Sequence, residues 1–358
     1  MTWFWRIFFT FVLLAGWGVL GYFYVDFTLG SPKRTKPVEV EIPSESTLQE
    51  IGEILEQKRL LRESTFFRYY AKWKNKTNLR AGTFEILPNE TLDQILVKIA
   101  EGKENKVKIV VPPGWTVYEI ADRLEAKGFD KKAFLEALNN KKPRYAFEHK
   151  IAKSPDRKYK LEGYLYPDTY YFKPSEKPEE IINTMLGQFN TYYEKLNLEQ
   201  KLQNNPRLKN MTLDKVVTVA SLIQREGQDK QELPRIAGVI YNRLDIRMPL
   251  QVDASIVFMY REQGKKVTRV YQNMYKGVNH PYNTYINYGL PPGPISNTTA
   301  EALAAAVNPE KHKYLYYVTR EDGTKRHFFA TKFQQHQQYN AISKRNREKG
   351  QAMPTIGE

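Results

Sequence analysis

Three stretches of this chain repeat one plan, and that repeat most restricts what the chain can fold into. VEVEIPSESTLQEIGEIL (Val38–Leu55), GTFEILPNETLDQILVKIA (Gly82–Ala100) and VKIVVPPGWTVYEIADRL (Val107–Leu124) each open with a short extended run. Each then passes a proline and a threonine and continues in apolar residues at helical spacing. Thr47, Thr91 and Thr116 are matched N-caps, because a hydroxyl before a helix accepts from one of its unpaired N–H groups. Glu50, Gln94 and Glu119 stand three residues later, where their side chains can reach back to the cap N–H and complete a capping box. Leu48, Ile51 and Leu55, with their counterparts Leu92, Ile95, Ile99 and Val117, Ile120, Leu124, give each helix one apolar stripe to bury on the strand before it. Between the first two copies STFFRYYAKWK (Ser64–Lys74) reads as a further helix, so residues 38–87 run strand, helix, helix, strand. Short strands and helices mixed in this way predict an α+β fold.

Ahead of the repeats lies a run from Ile7 to Val25 without a charge, flanked by Arg6 and Asp26. It is long enough to cross a bilayer, with Trp3, Trp5, Tyr22 and Tyr24 near its ends, where aromatic rings favour the interface. A cleaved signal peptide would have a shorter apolar stretch ending in small residues, so a retained transmembrane anchor is expected. Charge does not fix its orientation, since Arg6 faces Lys33, Arg34 and Lys36 across the span. Residues 27–37, with Gly30, Pro32 and Pro37, read as a linker. The expected division is an N-terminus and anchor over 1–26, the linker, a module over 38–105, the third repeat with a connector over 106–160, a main domain over 161–345 and a tail over 346–358.

The chain has no cysteine, which excludes disulfides, thiol catalysis and thiolate metal sites. Its five histidines have no ligand-like spacing, so neither a metal site nor another cofactor is expected. The net charge of +15 is spread along the chain, as on solvated faces, and suits anionic headgroups near a membrane anchor. No nucleic-acid recognition motif accompanies it.

TLDKVVTVASLIQREG (Thr212–Gly227) predicts a largely apolar helix, capped by Thr212 and ended by Gly227. Glu226 falls on its last turn, where the helix dipole disfavours a carboxylate and partial burial disfavours it further. Both raise its pKa, as a general acid at neutral pH requires. Pairing with Arg225 on a solvated helix end is the competing reading. Glu162 and Asp168, in EGYLYPDTYYF (Glu162–Phe172), are the alternative acids, and their ordinary roles would be a turn and a local cap. MPLQVDASI (Met248–Ile256) places Gln251, Asp253 and Ser255 on one side if it is extended. GLPPGPIS (Gly289–Ser296) must be an irregular stiff loop, suited to walling a groove. Tyr314–Val318 and Arg326–Thr331 read as a hairpin around Asp322-Gly323.

Five of these stretches, EGYLYPDTYYF, RIAGVIYNRL (Arg235–Leu244), MPLQVDASI, NTYINYGLPPGPISN (Asn283–Asn297) and YLYYV, follow one another in the order seen in the endolytic murein transglycosylases. Together with ASLIQRE (Ala220–Glu226) they make the chain resemble this YceG-like family from the membrane segment to about Asn340. The resemblance implies that Glu226 is the catalytic acid; many relatives carry a second Glu in this run, where this chain has Gln224. It implies a LysM-like module over 38–105, a glycan-binding or merely spacing layer, and a mixed α+β catalytic domain with its groove between the Glu226 helix and the GLPPGPIS loop. It implies a cytoplasmic N-terminus, a single-pass inner-membrane anchor and an extracytoplasmic catalytic domain. The implied substrate is nascent peptidoglycan, cut between N-acetylmuramic acid and N-acetylglucosamine, with peptidoglycan synthases as partners. Asn242, Gln251, Asp253, Ser255 and Tyr288 are the expected substrate-binding or supporting residues. A hydrolase pairing Glu226 with Asp253 or Asp168 and a non-catalytic glycan-binding scaffold are the other readings.

Overall fold

The computed structural model describes residues 2–30, 32, 34–102 and 106–352. The chain divides into two compact units, Met1–Val107 and Lys108–Glu358.

The first unit opens with α1 (Thr2–Leu29), of which Ile7–Leu29 is long and apolar enough to cross a membrane. At 1.5 Å per residue such a span is about 34 Å long, against a hydrocarbon core of about 30 Å. Trp17, Leu20, Tyr22 and Phe23 stay exposed along it. The helix runs past the expected start of the linker, because Thr28 and Leu29 are buried in the module that follows and the Thr28 carbonyl accepts from the N–H groups of Arg62 and Glu63. β1 (Val38–Ile42), α2 (Leu48–Gln57), α3 (Phe67–Trp73), β2 (Gly82–Ile86) and α4 (Leu92–Glu101) complete the unit. β1 and β2 pair antiparallel, Val40 opposite Phe84, and the helices bury Ile51, Leu55, Phe67, Ile95 and Ile99 with them.

All three capping boxes are present: Thr47 with Glu50, Thr91 with Gln94 and Thr116 with Glu119. The third belongs to the next run of elements, β3 (Val107–Val110) and α5 (Val117–Glu125). α6 (Lys131–Asn140) follows, capped by Asp130, and β4 (Thr169–Phe172) pairs with β3. Two helices follow, α7 (Pro178–Lys195) and α8 (Leu198–Asn204). Asn197 separates them by taking a left-handed backbone, a conformation that asparagine tolerates and that a helix cannot continue through.

The second unit is built around α9 (Leu213–Glu226), nearly every residue of which is buried down to Ile223. α10 (Leu233–Asp245) and α12 (Ala300–Val307) pack on it, and α11 (Asp253–Glu262) lies between them in sequence. β5 (Tyr316–Thr319) and β6 (His327–Ala330) form the expected hairpin, with Tyr317 opposite Phe329, and α13 (Phe333–Ala352) covers it. The expected tail is thus helical over 346–352, and residues 353–358 lie outside the described ones.

α9 is anchored along its length. Near its start Asp214 accepts from Arg157 Nη1 and from the Tyr164 hydroxyl, each at 2.8 Å, all three buried. Such a buried pair is costly to break, about 3–5 kcal/mol when one partner is removed. Two turns further on, Ser221 Oγ accepts from the Ile295 N–H at 3.0 Å, and Ser296 Oγ donates to the Ser221 carbonyl. In the last turn Gln224 Oε1 accepts from both the N–H and the hydroxyl of Thr299, the cap of α12.

Candidate active site

Glu226 ends α9 as the sequence pattern requires, and Gly227 leaves the helix with an extended backbone. A β-carbon on Gly227 would lie 2.3 Å from Leu233 Cδ2, so glycine is what lets α10 approach the end of α9. The Glu226 carboxyl is partly open to solvent but densely surrounded. Desolvation pushes its pKa to about 7. The Tyr317 hydroxyl donates to Oε2 at 3.1 Å and opposes that rise. The charge of Asp253 adds to it, and those of Arg225 and Arg243 subtract from it. Among the described residues Glu226 has no ion pair: Arg225 Nη1 donates instead to the Gly114 carbonyl at 3.1 Å. A carboxylic acid near neutrality, reachable from solvent and held by one hydroxyl, can both give up and take back a proton.

The surrounding elements are tied together by Arg243, at the end of α10. Its Nε donates to the Leu315 carbonyl and its Nη1 to the Leu250 carbonyl, each at 2.6 Å. It thereby links β5, which carries Tyr317, to the segment leading into α11. On the far side of the hairpin His327 and Glu232 pair at 2.8 Å in a buried site, fixing β6 to the start of α10.

The segment expected to be extended is helical from Asp253, so Gln251, Asp253 and Ser255 do not form one row. The reason is that the Thr284 hydroxyl and carbonyl accept from the N–H groups of Val252 and Gln251, which turns the chain and starts α11. Asp253 is exposed in the first turn of α11, where a helix favours a carboxylate, and accepts from the Tyr285 hydroxyl. Gln251 is exposed with a left-handed backbone. Tyr288 is 70% exposed on the loop before Gly289. Ser255 is fully buried, its hydroxyl bonded to the Val252 carbonyl and to Thr284 Oγ1, each at 2.8 Å. Asn242 accepts from Arg207 at 2.6 Å and donates to the carbonyls of His312 and Tyr314.

The other acids lie elsewhere. Asp168 is exposed and accepts from the Thr169 N–H and from Gln188. Glu162 is buried, and desolvation raises its pKa to about 8. Its Oε2 accepts from the Val117 N–H at 3.0 Å, so it caps α5. Asn297 sits beside it, accepting from the Gly163 and Leu165 N–H groups and donating to the Trp115 carbonyl. Gly163 has a positive φ of 92°, and a β-carbon there would lie 2.4 Å from Pro294. The GLPPGPIS loop is accordingly buried from Gly293 to Ser296 and bonded directly to α9, so it buttresses that helix.

Tyr317, Tyr285 and Arg243 were not singled out from the sequence. A tyrosine in YLYYV was visible, but which of three faces Glu226 depends on the register that sets Tyr317 opposite Phe329.

Residues 40–341 match the model of the YceG-like family. A Bacillus subtilis protein named endolytic murein transglycosylase is 33% identical over 302 residues, covering 80% of this chain and 79% of its own. A Streptococcus pneumoniae serotype 2 protein of the same name is 31% identical over 333 residues, covering 86% of this chain and 59% of its own. The chain thus spans about three-fifths of the length of the pneumococcal relatives. The crystal structure of a yceG-like protein from Listeria monocytogenes, 33% identical, matches with a TM-score of 0.56 over 85% of this chain and 98% of that one.

Proposed function

As the chain belongs to the YceG-like family, we propose that it is an endolytic peptidoglycan transglycosylase whose single catalytic acid and base is Glu226. The observation that carries this reading is the Glu226 carboxyl itself, with its pKa near 7, its partial access and its bond from Tyr317. The protonated carboxyl gives its proton to the oxygen linking N-acetylmuramic acid to N-acetylglucosamine. As the bond from that oxygen to the muramic acid C1 breaks, positive charge develops at C1. Glu226, now a carboxylate, takes the proton of the same sugar's C6 hydroxyl as that oxygen bonds to C1. The products are an N-acetylglucosamine hydroxyl and a 1,6-anhydro ring, and no water is consumed. Proximity of the C6 hydroxyl replaces the second carboxylate that a hydrolase needs.

In this reading the exposed Gln251, Asp253 and Tyr288 meet the sugars, with Tyr285 holding Asp253. Asn242 and Ser255, whose polar groups are engaged within the protein, hold the segments around the site. α1 anchors the protein in the inner membrane with the rest of the chain outside the cytoplasm. The strands are cut as they are made, which ends their elongation and makes peptidoglycan synthases the partners. The LysM-like layer orients or grips the strand.

Mass spectrometry of products from purified strands tests the proposal. The expected products end in anhydromuramic acid and are absent with Glu226→Gln. Reducing ends would instead indicate a hydrolase with Asp253 as the second carboxylate. Strand binding without cleavage would indicate a scaffold.

A further inference from the structure

At the C-terminal end of α9, where Arg225 lines it, lies a cavity of about 430 Å³ with a strong charge bias. It is lined by five cationic side chains, Arg123, Arg225, Arg261, Lys265 and Lys266, and by only two carboxylates, Glu119 and Asp122. Both carboxylates are already engaged. Glu119 completes the capping box with Thr116, and Asp122 pairs with Lys131 at 2.8 Å and with Arg261. Two of the cations are held ready: Arg123 stacks 5.0 Å over the Trp115 ring, and Arg225 is fixed to the Gly114 carbonyl. Arg261 Nε is buried with no hydrogen-bond partner among the described residues. Lys265 and Lys266 are exposed at the mouth, with no ion pair among the described residues. Ala254, Val257 and Phe258 supply an apolar wall.

The cavity shares two of its elements with the surroundings of the catalytic carboxyl. Arg225 lines the cavity and Glu226 follows it on α9; Ala254 lines the cavity and Asp253 precedes it on α11. The cavity therefore stands at the same end of α9 as Glu226, where a group branching from a bound sugar has a cationic and apolar place to enter. Uncharged sugars gain nothing from five cations, whereas a short peptide bearing carboxylates matches both the charge and the apolar wall. We propose that this cavity is a subsite for the carboxylate-bearing peptide attached to muramic acid. This rests on the reading of the substrate as peptidoglycan.

The test is strand binding by the full-length Glu226→Gln protein, which separates binding from cleavage. Strands that keep their peptides are compared with strands stripped of them by an amidase, which leaves one lactyl carboxylate on each muramic acid, so the comparison isolates the peptide and not charge alone. The protein is expected to bind the peptide-bearing strands about tenfold more tightly, with a preference that weakens as salt rises. Adding Arg123→Gln and Lys266→Gln is expected to abolish the preference while leaving affinity for stripped strands unchanged. Equal affinity for the two strands, or a preference that survives both substitutions, overturns the proposal. Absence of cleavage by the unsubstituted protein would overturn the transglycosylase reading and leave this binding result to stand or fall by itself.

Discussion

The surroundings of Glu162 and of Glu226 make an instructive pair. Both carboxyls are raised by desolvation, to about 8 and about 7, so a perturbed pKa alone would favour Glu162 as the acid. What separates them is access and bonding. Glu162 is 2% exposed, caps α5 through the Val117 N–H and is packed against Asn297. Glu226 keeps a path to solvent and a single bond from Tyr317. The first arrangement holds loops together; the second leaves a proton free to move. A raised pKa measures how costly a charge is at a place, and only an open path turns that cost into chemistry.

The sharpest way to break this comparison is to replace each carboxyl by an amide and measure cleavage. Glu226→Gln is expected to lower the rate by about 10²–10⁴-fold with the fold intact, whereas Glu162→Gln keeps the activity. Activity lost in Glu162→Gln, with circular dichroism unchanged, would reverse the assignment. Next in size is stability. Glu162→Ala strands the Val117 N–H and is expected to cost about 1–3 kcal/mol in denaturant unfolding.

Smaller effects test what sets the Glu226 pKa. Cleavage is expected to fall as pH rises through about 7, because the acid loses its proton there. Tyr317→Phe removes a bond that favours the carboxylate, so the fall should move to higher pH, with a rate loss of about tenfold from poorer positioning. Asp253→Asn removes a negative charge and should move the fall to lower pH, by about one unit or less. Shifts in the same direction for both variants would contradict the arrangement around Glu226.

The last expected effect is a linked one. The folded pKa of Glu226 lies above its unfolded value, so its proton stabilises the fold fully in acid and that contribution is lost as pH rises through about 7. Glu226→Gln removes this loss. Its melting temperature should therefore match that of the unsubstituted protein in acid and exceed it at and above neutrality, as differential scanning calorimetry would record.

Local chemistry alone determined much of this protein. The three capping boxes, the helix ending at Glu226 and the hairpin around Asp322-Gly323 rest on interactions between residues a few positions apart, and these are written into the chain. The long uncharged run before Asp26 likewise fixed one helix able to span a bilayer. Tertiary structure decided the rest. The segment before Asp253 turns into a helix because Thr284, about thirty residues away, accepts its N–H groups. The proline-rich loop is buried because Ser221 on α9 receives it. Tyr317 meets Glu226 only through the strand register that Ala330 to His327 impose. Such partners are distant in sequence, and no periodicity or capping pattern encodes which distant group a side chain will meet. The upward direction of the Glu226 pKa was legible in the chain from its helix end and expected burial, whereas the neighbours from three other elements that tune it were not.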